Sequence, residues 1–429
     1  MRLIAVFMAA GLMALFGRAA AQDIAPASET SAFIFTTLLA LIGAAALPIA
    51  AAGFAMFESG LSRARNAVTA ALKMSLTCAV AMIAAWASGA ALSGSVESGG
   101  LLGEFGFWSP AETDADAARA APFAQFLFLA AQAGFCAAII SGALAERVRI
   151  LPFVILAFLI CGLIQPIVAS WTGVGYLAMK WGFVDAGGGA SVHVVGGAAA
   201  LAGVLVAGPR RGRYAPLRAH AARASNAPFA LVGGFALAMA TIILSASRHG
   251  ALASAADMIA LASIVGRMAL ASAGAALAAT LLNAIVYKKV DPTIIVNASI
   301  GGLVALAGDP LSGAIWQALL IGSFAGVIVA VAIPFFDRLK IDDVTGAAPT
   351  HLLCGLWGVL VVAWTRSEAT FLAQAVGALM IGIFAFVVSA LAMIALKYSI
   401  GLRASADAEL QGLDRADCGI DAYPEFRRG

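Results

Sequence analysis

The chain has 429 residues, of which 62% are hydrophobic and 11% charged. Soluble domains carry about 25% charged residues, so an ordinary water-soluble fold is excluded and most of the chain belongs in lipid. The net charge of +3 is too small to indicate a nucleic-acid partner.

The N-terminus reads as a secretory signal over residues 1–21. Arg2 supplies the charged start, Leu3 to Phe16 an apolar run too short to span a bilayer, and Ala19-Ala20-Ala21 a small-residue cleavage site before Gln22. Eleven apolar segments follow, at roughly 33–57, 67–93, 122–145, 150–173, 191–208, 228–247, 255–286, 292–307, 312–335, 346–364 and 370–398. Helices of about 20 residues match the hydrocarbon thickness. Abundant Gly and Ala permit close helix packing in lipid. The five cysteines form no CxxC or Cys/His cluster and read as small buried hydrophobes.

Arg63 and Arg65, Arg147 and Arg149, Arg210 to Arg223, Lys288 and Lys289, and Arg338 and Lys340 fall on alternate loops. The intervening loops are acidic or neutral, notably 97–118 with Glu97, Glu104, Glu112, Asp114 and Asp116. The positive-inside rule places the basic loops in the cytoplasm. Eleven spans then put the N-terminus outside and a polar tail, 399–429, inside. The predicted fold is an all-α integral membrane protein of eleven transmembrane helices, occupying 22–398. Segments 1–5 and 6–10 form an inverted 5+5 repeat, and the eleventh helix is peripheral.

Two stretches resemble each other: Asp185-Ala-Gly-Gly-Gly-Ala-Ser-Val-His193-Val-Val-Gly-Gly197 and Asp343-Val-Thr-Gly-Ala-Ala-Pro-Thr-His351-Leu-Leu-Cys-Gly355. Each has Asp eight residues before His and Gly four residues after it. They hold two of only four histidines, inside apolar segments. Intramembrane histidine is costly and marks a pathway, and paired positions in two repeats are how many transporters build a central site. Two neutral imidazoles can share a hydrogen bond and offer a polar rail in an apolar tube. The competing structural role is to bond helices together. Burying an unpaired charge costs tens of kcal/mol by Born estimates. A protonated amine escapes that cost by losing its proton, since desolvation lowers an amine pKa by up to about 3–5 units; sodium and potassium cannot. The pair therefore suits a small protonatable solute. Asp185 is suited to cap its helix and to touch the solute, and these roles are compatible. Asp343, beside Asp342, reads as solvated or capping. His220 reads as solvated and His249 as an outer-surface residue.

These residues resemble the ammonium transporter family (Amt/Mep/Rh), of the bacterial Amt type. The likeness rests on Gly53-Phe-Ala-Met-Phe-Glu-Ser-Gly-Leu-Ser-Arg-Ala-Arg-Asn66, Ile140-Ser-Gly-Ala-Leu-Ala-Glu-Arg147, Asp185 to His193, and Asp342-Asp343 through His351-Leu-Leu-Cys-Gly-Leu-Trp-Gly358. In the tail it rests on Leu402-Arg403, Gly412-Leu-Asp414 and Ala422-Tyr423. The resemblance implies an ammonium/ammonia transporter of the inner membrane, a homotrimer with one pore per subunit, and a PII-type signalling protein as partner at the cytoplasmic face. It makes Asp185, His193 and His351 pathway residues. The family's two outer-pore phenylalanines fall on Phe128 and Gln132, so one is replaced. Its external cation-recruiting Trp falls on Gly173, two residues from Trp171. The end of its sixth span falls on Leu244-Ser-Ala-Ser-Arg248, with Leu for the second gate Phe and Arg for the usual Ser. Its tail His-Gly-Glu appears as Cys418-Gly-Ile420.

The altered outer residues favour an alternative, a non-transporting or altered-selectivity paralogue acting as an ammonium sensor or regulator. An intramembrane metalloenzyme is a third reading. No HExxH-like spacing supports it, and two histidines fall short of a zinc site, so neither a metal nor a cofactor is expected.

Overall fold

A computed structural model of the chain describes residues 28–110, 119–215 and 224–426. The expected signal peptide, His220, Arg218 and Arg223 lie outside the described residues. Among those residues the chain is helical and without strands, apart from one bridge between Val148 and Arg403.

Among the described residues, ten helices are long and apolar enough to cross a membrane: α1 (Glu29–Leu61), α2 (Ala64–Gly94), α3 (Pro122–Ala143), α4 (Ile150–Trp181), α5 (Gly189–Ala207), α6 (Ala227–Ser247), α7 (Ala255–Tyr287), α9 (Ile315–Arg338), α10 (Ala348–Thr365) and α11 (Phe371–Ser399). The eighth apolar segment forms α8 (Pro292–Leu306), which at 15 residues is shorter than a span requires. Its start is fixed by Pro292 and by Asp291, which accepts from Thr293 N at 2.8 Å. Its end is fixed by a long-range contact: Ala307 and Gly308 leave the helix and accept from the loop before α5, with Ala186 N to Gly308 O at 2.8 Å and Gly187 N to Ala307 O at 2.9 Å. Non-helical backbone at depth is tolerated when protein satisfies it in this way. A Cβ on Gly187 would lie 2.7 Å from Ala307 O, which explains part of the glycine run.

Many large apolar side chains face outward, as lipid solvation requires. Phe235 is 73% exposed and Leu391 61%. The interior is instead rich in Ala and Gly. Gly43, Gly53 and Gly60 of α1 face Ser247, Leu237 and Ala230 of α6, so these first helices of the two halves run antiparallel. A Cβ on Gly60 would come within 2.6 Å of Ala230 N. The eleventh helix packs along α5 and α10, and its outer face, including Leu379, Ile383 and Leu391, is exposed.

At one end the loops are tied by buried charges. Arg210 donates to Asp342 from its backbone N (2.8 Å), Nε (2.9 Å) and Nη2 (2.9 Å), and to Glu146 from Nη1 (2.6 Å). Glu146, at φ +70°, also holds Arg63. Arg147 is fully buried and donates from Nη2 to the carbonyls of Ala143 (2.8 Å) and Asp342 (2.7 Å). Burial brings the Arg147 guanidinium down to about 10, against the opposing charge of Asp342. Burial alone would raise the Asp342 carboxyl, but the hydrogen bonds and charge of Arg210, with Arg147, bring it down to about 2. The tail, with short helices α12 (Ala406–Gln411) and α13 (Leu413–Cys418), lies against this end. Asp414 accepts from Val68 N (3.1 Å), Thr69 N (2.7 Å) and Thr69 Oγ1 (2.8 Å) at the start of α2. Asp417 accepts from Ile150 N (3.1 Å) at the start of α4.

Candidate functional site

Each histidine sits in a π-helical turn, Gly189–Val194 or Ala348–Leu353, that leads into an α-helix. Such turns recur at functional sites. Both turns start from the aspartate eight residues before the histidine. Ala190 N donates to Asp185 Oδ1 at 2.8 Å, and Ala348 N donates to Asp343 Oδ2 at 2.8 Å. Asp185 also accepts from Ser191 N (2.9 Å) and Ser191 Oγ (2.6 Å), so both its oxygens serve the helix start.

The turns bring the rings together. His193 Nδ1 and His351 Nδ1 are 3.1 Å apart, with the ring planes 9° from parallel and the centroids 5.2 Å apart. The rings are 1% and 4% exposed, so water does not compete for this contact. Because the same atom meets its counterpart, one Nδ1 must donate and the other accept. The pair therefore presents two different Nε2 atoms, one with a free lone pair and one bearing hydrogen. The glycines four residues on complete the fit. A Cβ on Gly197 would strike the Leu352 backbone nitrogen, and one on Gly355 would lie 2.9 Å from Val194 Cγ2. Each glycine thus receives the residue after the opposite histidine, the reciprocal pattern of a two-fold relationship.

Two phenylalanines that spacing alone did not single out enclose the pair. Phe135 meets His193 edge-on at 5.5 Å between centroids, and Phe54 lies 5.5 Å from Phe135 and 6.4 Å from His351. The available signal was positional: Phe135 lies one turn after Gln132, and Phe54 falls within the Gly53 to Asn66 motif.

Two cavities open a few residues from the pair, and neither is lined by a histidine. One of 380 Å³ is lined by Ala40, Arg119, Phe128, Gln132, Ser247 and Arg248, among others. The other, of 320 Å³, is lined by Arg210, Asp342, Asp343, Gly346 and Pro349, among others, and Pro349 is two residues from His351. The first cavity gathers three predicted residues, Phe128, Gln132 and Arg248. The Arg248 side chain bonds the Gln132 amide oxygen, and its Nη2 and Nε donate to the carbonyls of Asp185 (3.1 Å) and Ala186 (3.2 Å). Leu244, one turn earlier, is fully packed at 1% exposure.

Trp171 and Gly173 are not part of this cavity. Trp171 Nε1 donates to Leu101 O at 2.7 Å and its ring packs on Phe384 at 4.9 Å, which holds it away from Arg248. Gly173 is exposed, with no atom within 4 Å of where a Cβ would stand. Among the described residues, no group of three or more His, Cys, Asp or Glu is placed to hold a metal ion.

The profile described as "Ammonium Transporter Family" matches residues 38–423. A protein named putative ammonium transporter from Synechocystis is 32% identical over 409 residues, covering 94% of this chain and 92% of its own. An ammonium transporter of Haloferax mediterranei is 34% identical, with 87% of each chain covered. Among solved structures, "Sensor Amt Protein" superposes with a TM-score of 0.84 at 24% identity, covering 91% of this chain and all of that one. Candida albicans Mep2 superposes with a TM-score of 0.79 at 20% identity, covering 94% of both chains. At these identities the structural matches establish the fold.

Proposed function

The chain belongs to the ammonium transporter family, a family of multi-pass membrane transporters, and on that footing we propose that it moves ammonia past the His193–His351 pair as a deprotonated solute. The observation that carries this reading is the Nδ1–Nδ1 contact, buried and enclosed by Phe54 and Phe135. Apolar walls disfavour a bare cation. Neutral ammonia has one lone pair and three hydrogens, so it can bond to either kind of Nε2 that the pair leaves open. The ionic end holds Arg63, Arg147, Arg210 and Asp342, and the positive-inside rule supports placing it in the cytoplasm. The tail against that end is then cytoplasmic, where a PII-type protein would dock. A homotrimer follows from the family resemblance.

A second reading, a sensor that does not conduct, is favoured by Arg248, whose side chain crosses from Gln132 to the Asp185 and Ala186 carbonyls over the approach to the rings. Uptake into proteoliposomes, with His193→Ala as control, tests the first reading. Histidine-dependent flux above that of empty liposomes supports transport; its absence supports the sensor.

A further inference from the structure

Arg248 carries a permanent positive charge, and among the described residues nothing neutralises it. Its three acceptors, Gln132 Oε1, Asp185 O and Ala186 O, are all uncharged. The carboxylate of Asp185, whose backbone carbonyl Arg248 holds, is turned to Ala190 N, Ser191 N and Ser191 Oγ. The 380 Å³ cavity above it is lined by Arg119 as well as Arg248 and by no Asp or Glu. A second cavity lined by Arg248 holds Asp309, His249 and Arg366. There Asp309 is already paired with Arg366 at 2.8 Å, and His249 stands 3.5 Å from Asp257. Among the described residues that line these two cavities, no unpaired acid makes the mouth attractive to a cation.

Hydrogen-bond chemistry points the same way. A guanidinium only donates, and so does ammonium; ammonia has a lone pair and can accept. A like charge a few ångströms from Arg248, at an effective dielectric near 20, is disfavoured by a factor on the order of a hundred or more. We infer that Arg248 makes this passage selective for uncharged ammonia over the ammonium cation. The inference rests on the transport reading above and adds which species enters.

Proteoliposomes containing the full chain test it, with internal pH and membrane current recorded after an ammonium chloride pulse. In the wild type the lumen is expected to turn alkaline without current. Its flux is expected to rise about tenfold per pH unit at fixed total ammonium, following the neutral species. Arg248→Ser is expected to carry an ammonium-evoked current at least tenfold above the wild type, with a flatter pH profile. Arg248→Lys keeps the charge and is expected to carry no such current. Size-exclusion elution reports whether each variant is folded, and the wild-type records decide the matter even if a variant is lost. A wild-type current, or flux independent of pH, overturns this inference while leaving transport intact. No flux of either species above that of empty liposomes overturns the transport reading and this inference with it.

Discussion

His193 and His351 meet through the same ring atom, Nδ1 to Nδ1 at 3.1 Å, with both rings buried. One proton is therefore shared between them, and neither ring has an alternative water partner. Truncating either ring leaves the other Nδ1 without a partner, a loss worth about 1–3 kcal/mol. His193→Ala and His351→Ala are each expected to lower ammonia flux by about tenfold or more, in line with that energy. Because the rings act as one unit, the double variant should be no slower than the worse single variant. Stopped-flow uptake on the three variants checks this; multiplied losses would show that the rings work independently.

Gly197 and Gly355 occupy equivalent positions but are not equally demanding. The atom that a Gly197 Cβ would strike is the Leu352 backbone nitrogen, which cannot rotate away. The nearest atom at Gly355 is Val194 Cγ2, at 2.9 Å, and it belongs to a side chain. Gly197→Ala is therefore expected to destabilise by about 1–3 kcal/mol, the range for overpacked interiors, and Gly355→Ala by less. Thermal unfolding of the detergent-solubilised variants gives the order; equal losses would count against this account of the ring site.

Much of this arrangement is legible in sequence. Hydropathy marks every apolar helix, and the repeated Asp-x7-His spacing marks both turns. The shortness of α8 was not legible, because what ends it is the contact of Ala307 and Gly308 with the loop at 186–189, over a hundred residues away. The bond between Arg248 and Gln132 crosses 116 residues and two helices, so spacing could place each near a mouth without joining them. Trp171 shows the converse: spacing brings it close to the mouth, and one hydrogen bond to Leu101 O keeps it out. The π-helical geometry of those two turns was not legible, since it preserves the apolar pattern of an ordinary helix.

Asp342 and Asp343 are neighbours with opposite expected behaviour. The Asp342 carboxyl is held at about 2 by Arg210 and Arg147, despite burial. A depressed carboxyl stabilises the fold above its unfolded pKa of about 4, and the benefit is lost as pH falls towards the folded value. That benefit is on the order of 2–3 kcal/mol. Asp343 is the reverse: burial raises its carboxyl, although Ala348 and Ala347 donate to it, and its Oδ1 has no partner. A raised carboxyl favours its protonated form, so its contribution to stability falls as pH rises through that value. At neutral pH Asp342→Asn should destabilise strongly, by about 3–5 kcal/mol, because it strands the buried Arg147 charge and leaves Arg210 with Glu146 alone. Asp343→Asn keeps a capping oxygen and should be neutral or stabilising. Unfolding midpoints at neutral and acidic pH separate the two, and a loss from Asp343→Asn matching that from Asp342→Asn would refute the assignment.

The tail holds two other helix starts. Asp414 supplies the α-helical stretch of α2, which starts at Ala67, with the cap its own sequence lacks, since Asn66 before it makes no side-chain capping bond. Instead Asn66 Oδ1 accepts from Leu413 N at 2.9 Å, so tail and helix start bind each other reciprocally. Loss of a capping side chain costs about 0.5–2 kcal/mol, and here it also frees a tail otherwise held near this point by Asp417. Asp414→Ala is expected to speed proteolytic release of the tail by about fivefold to thirtyfold, the ratio that one or two kcal/mol produces. Asp414→Asn retains one capping oxygen and should fall between the two. The readout is the rate of tail cleavage by a protease added to the solubilised protein. If Asp414→Ala is cut no faster than the unaltered chain, the aspartate is not what fixes the tail to α2.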